Sequence, residues 1–208
     1  MEATIPLLFA AVVGFTHAFE VDHLLAVSNI VTRRRTLLAS LKDGVYWGLG
    51  HTSTILLVGL LVIVIRVSIA ERTFSYFEAA VGLMLIVLGA YRLWKARRIE
   101  PTVHDHHHEE PHHHLAYGVG LVHGLAGSGA LVLLVMTQLK SSFDGIVYLL
   151  IFGFGSVVGM LLASGVFSLP LSQKISRGNE VRWAFTLLSS LLCMVFGAKV
   201  VWENLMGG

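Results

Sequence analysis

Two imidazoles and two carboxylates stand within seven residues in the stretch His17-Ala-Phe-Glu20-Val-Asp22-His23. They lie inside an apolar run from about Thr4 to Val31. An ionisable group at membrane depth costs about 3 kcal/mol or more on insertion scales, so four of them together need a compensating partner. A bound cation is the most economical one. Neutral imidazoles with one carboxylate suit Ni(II), Co(II) and Zn(II). The only cysteine, Cys193, leaves no thiolate set for copper(I) or thiolate zinc and excludes an intramolecular disulfide.

Helical geometry constrains how these donors meet one ion. His17, Glu20 and His23 form a slanting stripe at three-residue spacing, whereas Asp22 points about 140° away from His17. Either the helix unwinds locally, or Asp22 or Glu20 orients an imidazole from behind. Two further histidines in apolar surroundings join the candidates: His51, in Leu49-Gly50-His51-Thr52-Ser53, and His123. A membrane histidine can also act only as a hydrogen-bonding group between helices. Glu20 is open to orienting, gating or structural roles, and Ser128 and Ser156 read as secondary or packing positions.

The elements that must carry these residues are membrane spans. The chain has 208 residues, 55% hydrophobic and 13% charged, and its mean hydropathy is +0.73. That is a polytopic membrane composition. The net charge of +2 gives no nucleic-acid footprint. The first apolar run lacks a basic leading region and carries the polar cluster, so no separate signal peptide is expected. Six apolar segments reach the length needed to cross about 30 Å of hydrocarbon, near 4–31, 43–65, 74–95, 115–139, 143–170 and 181–206. Glycines concentrate in the second and fifth segments, at Gly44, Gly48 and Gly50 and at Gly153, Gly155 and Gly159. Small residues at such spacings let helix backbones approach closely in lipid.

Eleven of the fifteen basic residues fall between segments one and two, three and four, or five and six. By the positive-inside rule that side is cytoplasmic and both termini lie outside.

The two halves resemble each other. Gly14-Phe-Thr-His17-Ala-Phe aligns with Gly120-Leu-Val-His123-Gly-Leu, and Trp47-Gly-Leu-Gly50 with Phe152-Gly-Phe-Gly155. Phe77, Gly89, Ala90 and Trp94 match Phe185, Gly197, Ala198 and Trp202. A repeated unit of three spans reverses orientation on copying, which predicts an all-α fold of two inverted three-helix repeats with the site between them. The expected layout is one membrane domain over 1–208, with repeats at 1–95 and 115–208 joined by a loop at 96–114. The ligands are unequal: Asp22, His23 and His51 align with Ser128, Gly129 and Ser156. An asymmetric site on segments one and two, closed by segment four, is expected.

His17-x4-Asp22-His23, with Ala18 and Leu24 beside its histidines, and Leu49-Gly50-His51-Thr52 in the next span resemble the paired signatures of the nickel/cobalt transporter family of membrane permeases. The likeness extends to the Gly120–Ser128 stretch. It implies a secondary permease for Ni(II), and for Co(II), with His17, Asp22, His23 and His51 as the metal-handling positions. Better-known members have eight spans; six looks like the shorter relatives of the urease or hydrogenase accessory type. Glu20 stands where many members carry another residue.

Seven of the eleven histidines, His104, His106, His107, His108, His112, His113 and His114, crowd the central loop. This is the composition of a metal-binding tract with no apolar face on which to fold. The expectation is uptake of Ni(II) or Co(II) across the plasma membrane around His17, Asp22, His23, His51 and His123. The loop is cytoplasmic and would serve a cytoplasmic metal acceptor. The ion is cargo, and no cofactor or catalysis is expected. The alternatives are export by the same site, a proton-coupled permease for another substrate, and an intramembrane metalloenzyme; no His-Glu-x-x-His helix supports the last.

Overall fold

The computed structural model describes residues 4–31, 36–65, 70–98, 113–138, 141–169 and 179–207. They form seven helices: α1 Thr4–His17, α2 Val21–Val31, α3 Leu37–Ile63, α4 Glu71–Arg98, α5 His113–Gln138, α6 Ser142–Ser168 and α7 Asn179–Leu205. No strand occurs among the described residues.

Proline and capping chemistry explain several of the ends. The four prolines, Pro6, Pro101, Pro111 and Pro170, fall in the first turn of α1, between α4 and α5, and just after α6. Those are the places a residue without an N–H is tolerated. Thr36 and Ser141 cap α3 and α6, their hydroxyls accepting from the N–H groups of Ala39 and Phe143 at 3.3 and 3.2 Å. Helices extend past several of the expected apolar segments because hydropathy marks the hydrocarbon, while a helix continues into polar surroundings. His113 and His114, expected in the loop, instead open α5.

The first apolar run departs most from expectation. It forms two helices bent by 55°, not one straight span. No proline or glycine occupies the break at residues 18–20. The chain tightens there into short-range bonds, Phe19 N–H to the Thr16 carbonyl at 2.9 Å and Glu20 N–H to that of His17 at 3.1 Å. Asn29 fixes α2 after the bend: its amide donates to the carbonyls of Leu25 and Ser189, each at 3.1 Å, and its oxygen accepts from the Ser190 hydroxyl at 3.2 Å.

Four helices, α3, α4, α6 and α7, are long and apolar enough to cross a membrane, and the bent pair makes a fifth candidate span. The distribution of side chains is that of a protein solvated by lipid. Leu57, Leu83, Val87, Phe154 and Val195 are exposed in mid-helix, while His23, Asn29, Asp43, His51, His123, Ser156 and Ser190 are buried. Polar groups that hydrocarbon cannot satisfy face inward, where protein can.

Helices α3 and α6 pack on each other at the centre, α5 lies against α3, α1 against α6, and α4 against α7. The close approaches are reciprocal. Gly14 sits on the Phe152 carbonyl as Gly120 sits on that of Trp47; Gly50 meets Tyr117 as Gly155 meets Ala11. Gly89 likewise abuts Ser190, and Gly197 abuts Gly82. A side chain at any of these positions would drive two backbones apart. Gly120→Leu is therefore expected to destabilise the chain by about 1–3 kcal/mol, the usual cost of overpacking, read as earlier thermal unfolding of the detergent-solubilised protein; an unchanged transition would show that α3 and α5 do not need this approach.

Candidate metal centre

The bend after α1 supplies the geometry that one helix lacks. It leaves His17 at the end of α1 and sets Asp22 and His23 in the first turn of α2, where the helix dipole favours a carboxylate. His51 stands at mid-length on α3, and His123 comes from α5. The rings form a compact group: His17 and His23 centroids are 4.5 Å apart, His17 and His51 5.3 Å, His23 and His51 5.1 Å, and His23 and His123 4.2 Å.

Carboxylates orient three of these rings. The Nδ1 atoms of His17 and His23 lie 2.9 Å from Glu20 Oε1 and 3.0 Å from Asp22 Oδ1, and Nε2 of His123 lies 2.9 Å from Asp22 Oδ2. A neutral imidazole that donates one N–H to a carboxylate turns the lone pair of its other nitrogen toward a cation, the arrangement usual behind metal-bound histidines. The other nitrogens are indeed unpartnered and buried: Nε2 of His17 and His23, Nδ1 of His123, and both nitrogens of His51. A buried polar atom without a partner costs about 1–3 kcal/mol, so five of them in one cluster need an explanation. Converging lone pairs without a protein donor can bind a divalent first-row cation.

Donor atoms of His17, His23 and His51 lie within 4.8 Å of one another, and so do those of Asp22, His23 and His123. Both alternatives allowed by helical spacing thus occur together: the helix breaks, and Glu20 and Asp22 orient imidazoles. A cavity of about 870 Å³ reaches the cluster from the end of the bundle where α4 begins and α7 ends. His17, Glu20, Asp22, His23 and Gly127 line it, together with Glu78 and Glu203.

Other expected positions fall elsewhere. Ser156 is buried and donates its hydroxyl to the Gly14 carbonyl at 3.0 Å, tying α6 to α1. His113 pairs with buried Asp43, Nδ1 to Oδ1 at 2.9 Å, and stacks on Tyr46 with centroids 4.8 Å apart. These contacts hold it in the first turn of α5 rather than in the loop. His104, His106, His107, His108, His112 and the side chain of Ser128 lie outside the described residues.

Two aromatic walls and one glycine escaped the reading of the sequence as site residues. Phe152 faces His17 at 5.6 Å and Trp47 faces His123 at 5.8 Å. The repeat offset pairing Trp47 with Phe152 and His17 with His123 was the available signal. Gly127 has no comparable signal. A Cβ built on it would lie 3.1 Å from His17 Nε2 and 3.4 Å from His51 Cε1, inside the space the donors surround.

The chain is 33% identical over 206 residues to the urease accessory protein UreH of Bacillus sp. (strain TB-90), covering 92% of this chain and 88% of that protein. The chain belongs to the nickel/cobalt permease family. A protein of Methanocaldococcus jannaschii named "Putative nickel/cobalt efflux system MJ1092" is 26% identical over 201 residues, with 92% and 90% of the two chains covered. The chloroplast protein FOR GROWTH AND FERTILITY 2 of Arabidopsis thaliana is 28% identical over 201 residues; the match takes in 89% of this chain and 53% of that longer protein. No family model and no solved structure matches the chain. The permease-family relatives are transport or accessory proteins, not enzymes.

Gly127→Ala tests the space between the imidazoles. The nearest atoms to the methyl group would be those of imidazole side chains, so the variant is expected to fold and to lose about tenfold in Ni(II) affinity, equivalent to about 1.4 kcal/mol, measured by titration calorimetry on purified protein. Unchanged affinity would move the ion away from Gly127.

Proposed function

We propose that this permease takes up Ni(II), and Co(II), across the plasma membrane by alternating access around the histidine cluster. The observation that carries the reading is the convergence of one donor atom each from His17, His23 and His51 within 4.8 Å, in a cluster where five buried imidazole nitrogens have no hydrogen-bond partner. Membership of the nickel/cobalt permease family supports the substrate class.

A hydrated cation enters the cavity, where Glu20, Glu78 and Glu203 favour positive charge. It exchanges water for His17, His23 and His51, the triad whose donors converge most openly. Asp22 balances charge and orients His23 and His123. Phe152 and Trp47 wall the cluster beside His17 and His23.

The architecture proposed with it has six crossings, with the bent pair and α5 as first members of two inverted three-helix repeats, 1–95 and 115–208, in a single membrane domain. The reciprocal glycine contacts support this arrangement, since a two-fold relation between halves makes each contact recur with partners exchanged. Rocking of one repeat against the other would open the cluster alternately to each side. Both termini and the cavity mouth then face outside, and the histidine-rich loop at 96–114 faces the cytoplasm, where it would collect entering ions for a metal acceptor. The excess of basic residues at the other end supports this orientation.

Cells expressing the chain are expected to accumulate more nickel at submicromolar external Ni(II) than cells expressing an Asp22→Asn, His23→Ala version, by tenfold or more in initial rate. Less nickel in the former would reverse the direction to export. Equal nickel content would end the nickel-permease reading.

A further inference from the structure

The donors divide into two triads that share one residue. His17, His23 and His51 form one, and Asp22, His23 and His123 form the other. His51 and His123 are 6.4 Å apart by ring centroid, farther than either is from His23, at 5.1 and 4.2 Å. The triads also differ in depth. Gly127 lines the cavity and abuts both His17 and His51. His123 lies four residues earlier on the same helix, a rise of about 6 Å toward the opposite end of the bundle; His51 and His123 are equally buried, at 0% and 1% exposure.

We propose that the transported ion occupies two stations in turn, an outer one on His17, His23 and His51 and an inner one on Asp22, His23 and His123, with His23 handing it across. The inference rests on the reading of a divalent cation as cargo. At the outer station His23 binds through Nε2, which is unpartnered, while its Nδ1–H donates to Asp22. At the inner station it binds through Nδ1, and the ring proton moves to Nε2. His123 makes the matching change, its proton passing from Nε2, which faces Asp22, to the unpartnered Nδ1. Protons and charge balance, because each neutral ring only changes tautomer. A neutral ring carries one N–H and one lone pair, so His23 serves one station at a time and a single ion is held.

Division into stations has a physical use. A cargo site must bind strongly enough to strip water and weakly enough to release. Replacing His17 and His51 by Asp22 and His123 one at a time, with His23 in reach of both stations, meets both needs without a fully dehydrated, unligated ion. The outer station is uncharged, and the inner one carries the carboxylate that draws the ion inward.

The test uses purified full-length protein with NiCl2, and the same protein in liposomes. The unmodified chain is expected to bind one Ni(II) by equilibrium dialysis. His51→Ala and His123→Ala should each still bind one, with X-ray absorption showing imidazole plus carboxylate in the first and imidazole ligands without carboxylate in the second. Each should lower Ni(II) flux into liposomes at least tenfold. His51→Gln and His123→Gln carry the test if either alanine variant is not monodisperse. Loss of binding in either monodisperse variant would mean one indivisible site, and normal flux in either would mean that one station suffices. Two ions bound at once to the unmodified chain would also overturn the hand-over. Absence of Ni(II) binding by the unmodified chain would remove the cargo reading itself, and the stations with it.

Discussion

A carboxylate at membrane depth has to be paired, and Asp22 is paired twice, with His23 beside it and with His123 a hundred residues away. Much of the structure serves that contact. The chain must break before Val21 so that Asp22 turns into the bundle, and α2 must be anchored by Asn29 so that the turn holds. Helix α5 must in turn come close enough to α3 for His123 to reach across, and Gly120 and Gly124 permit this by lying directly on the α3 backbone at Trp47 and His51. Burying a carboxylate costs desolvation that its hydrogen bonds only partly offset, so this contact is better understood as fixing orientation than as adding stability.

The surroundings follow from the same constraint. In lipid, apolar surface gives no drive for helices to associate, and backbone proximity with internal polar bonds takes its place. Thr54 donating to the Leu121 carbonyl, Thr52 to that of Gly153 and Ser156 to that of Gly14 are bonds of this kind, each made from a helix to the backbone of its neighbour. A frame of small residues thereby surrounds a cluster in which five ring nitrogens have no protein partner.

Much of this was legible in the residues. Histidines and carboxylates in an apolar run marked a candidate site, and His17, Asp22, His23, His51 and His123 lie close together in the fold. The all-helical architecture was legible too, because twenty-residue apolar runs have few alternatives in a membrane. The bend at residues 18–20 was not legible as a fact, only as one of two options, since neither proline nor glycine marks it. Ser156 was ambiguous because a serine facing a cavity and one bonded to a neighbouring backbone look alike in sequence. His113 was assigned to the loop by composition, although its contacts with Asp43 and Tyr46 make it part of α5.

The sequence by itself determined which groups are expensive to bury, which segments are apolar enough to bury them, and how the two halves correspond. Those are properties of residue types and their spacing. Only the tertiary structure decided that Asp22 bridges His23 and His123, that His23 belongs to two triads, and that Gly127 borders the space between the rings. Such relations depend on the angle at a helix break and on the depth at which three other helices meet it. Residue spacing along any one helix carries no information about either.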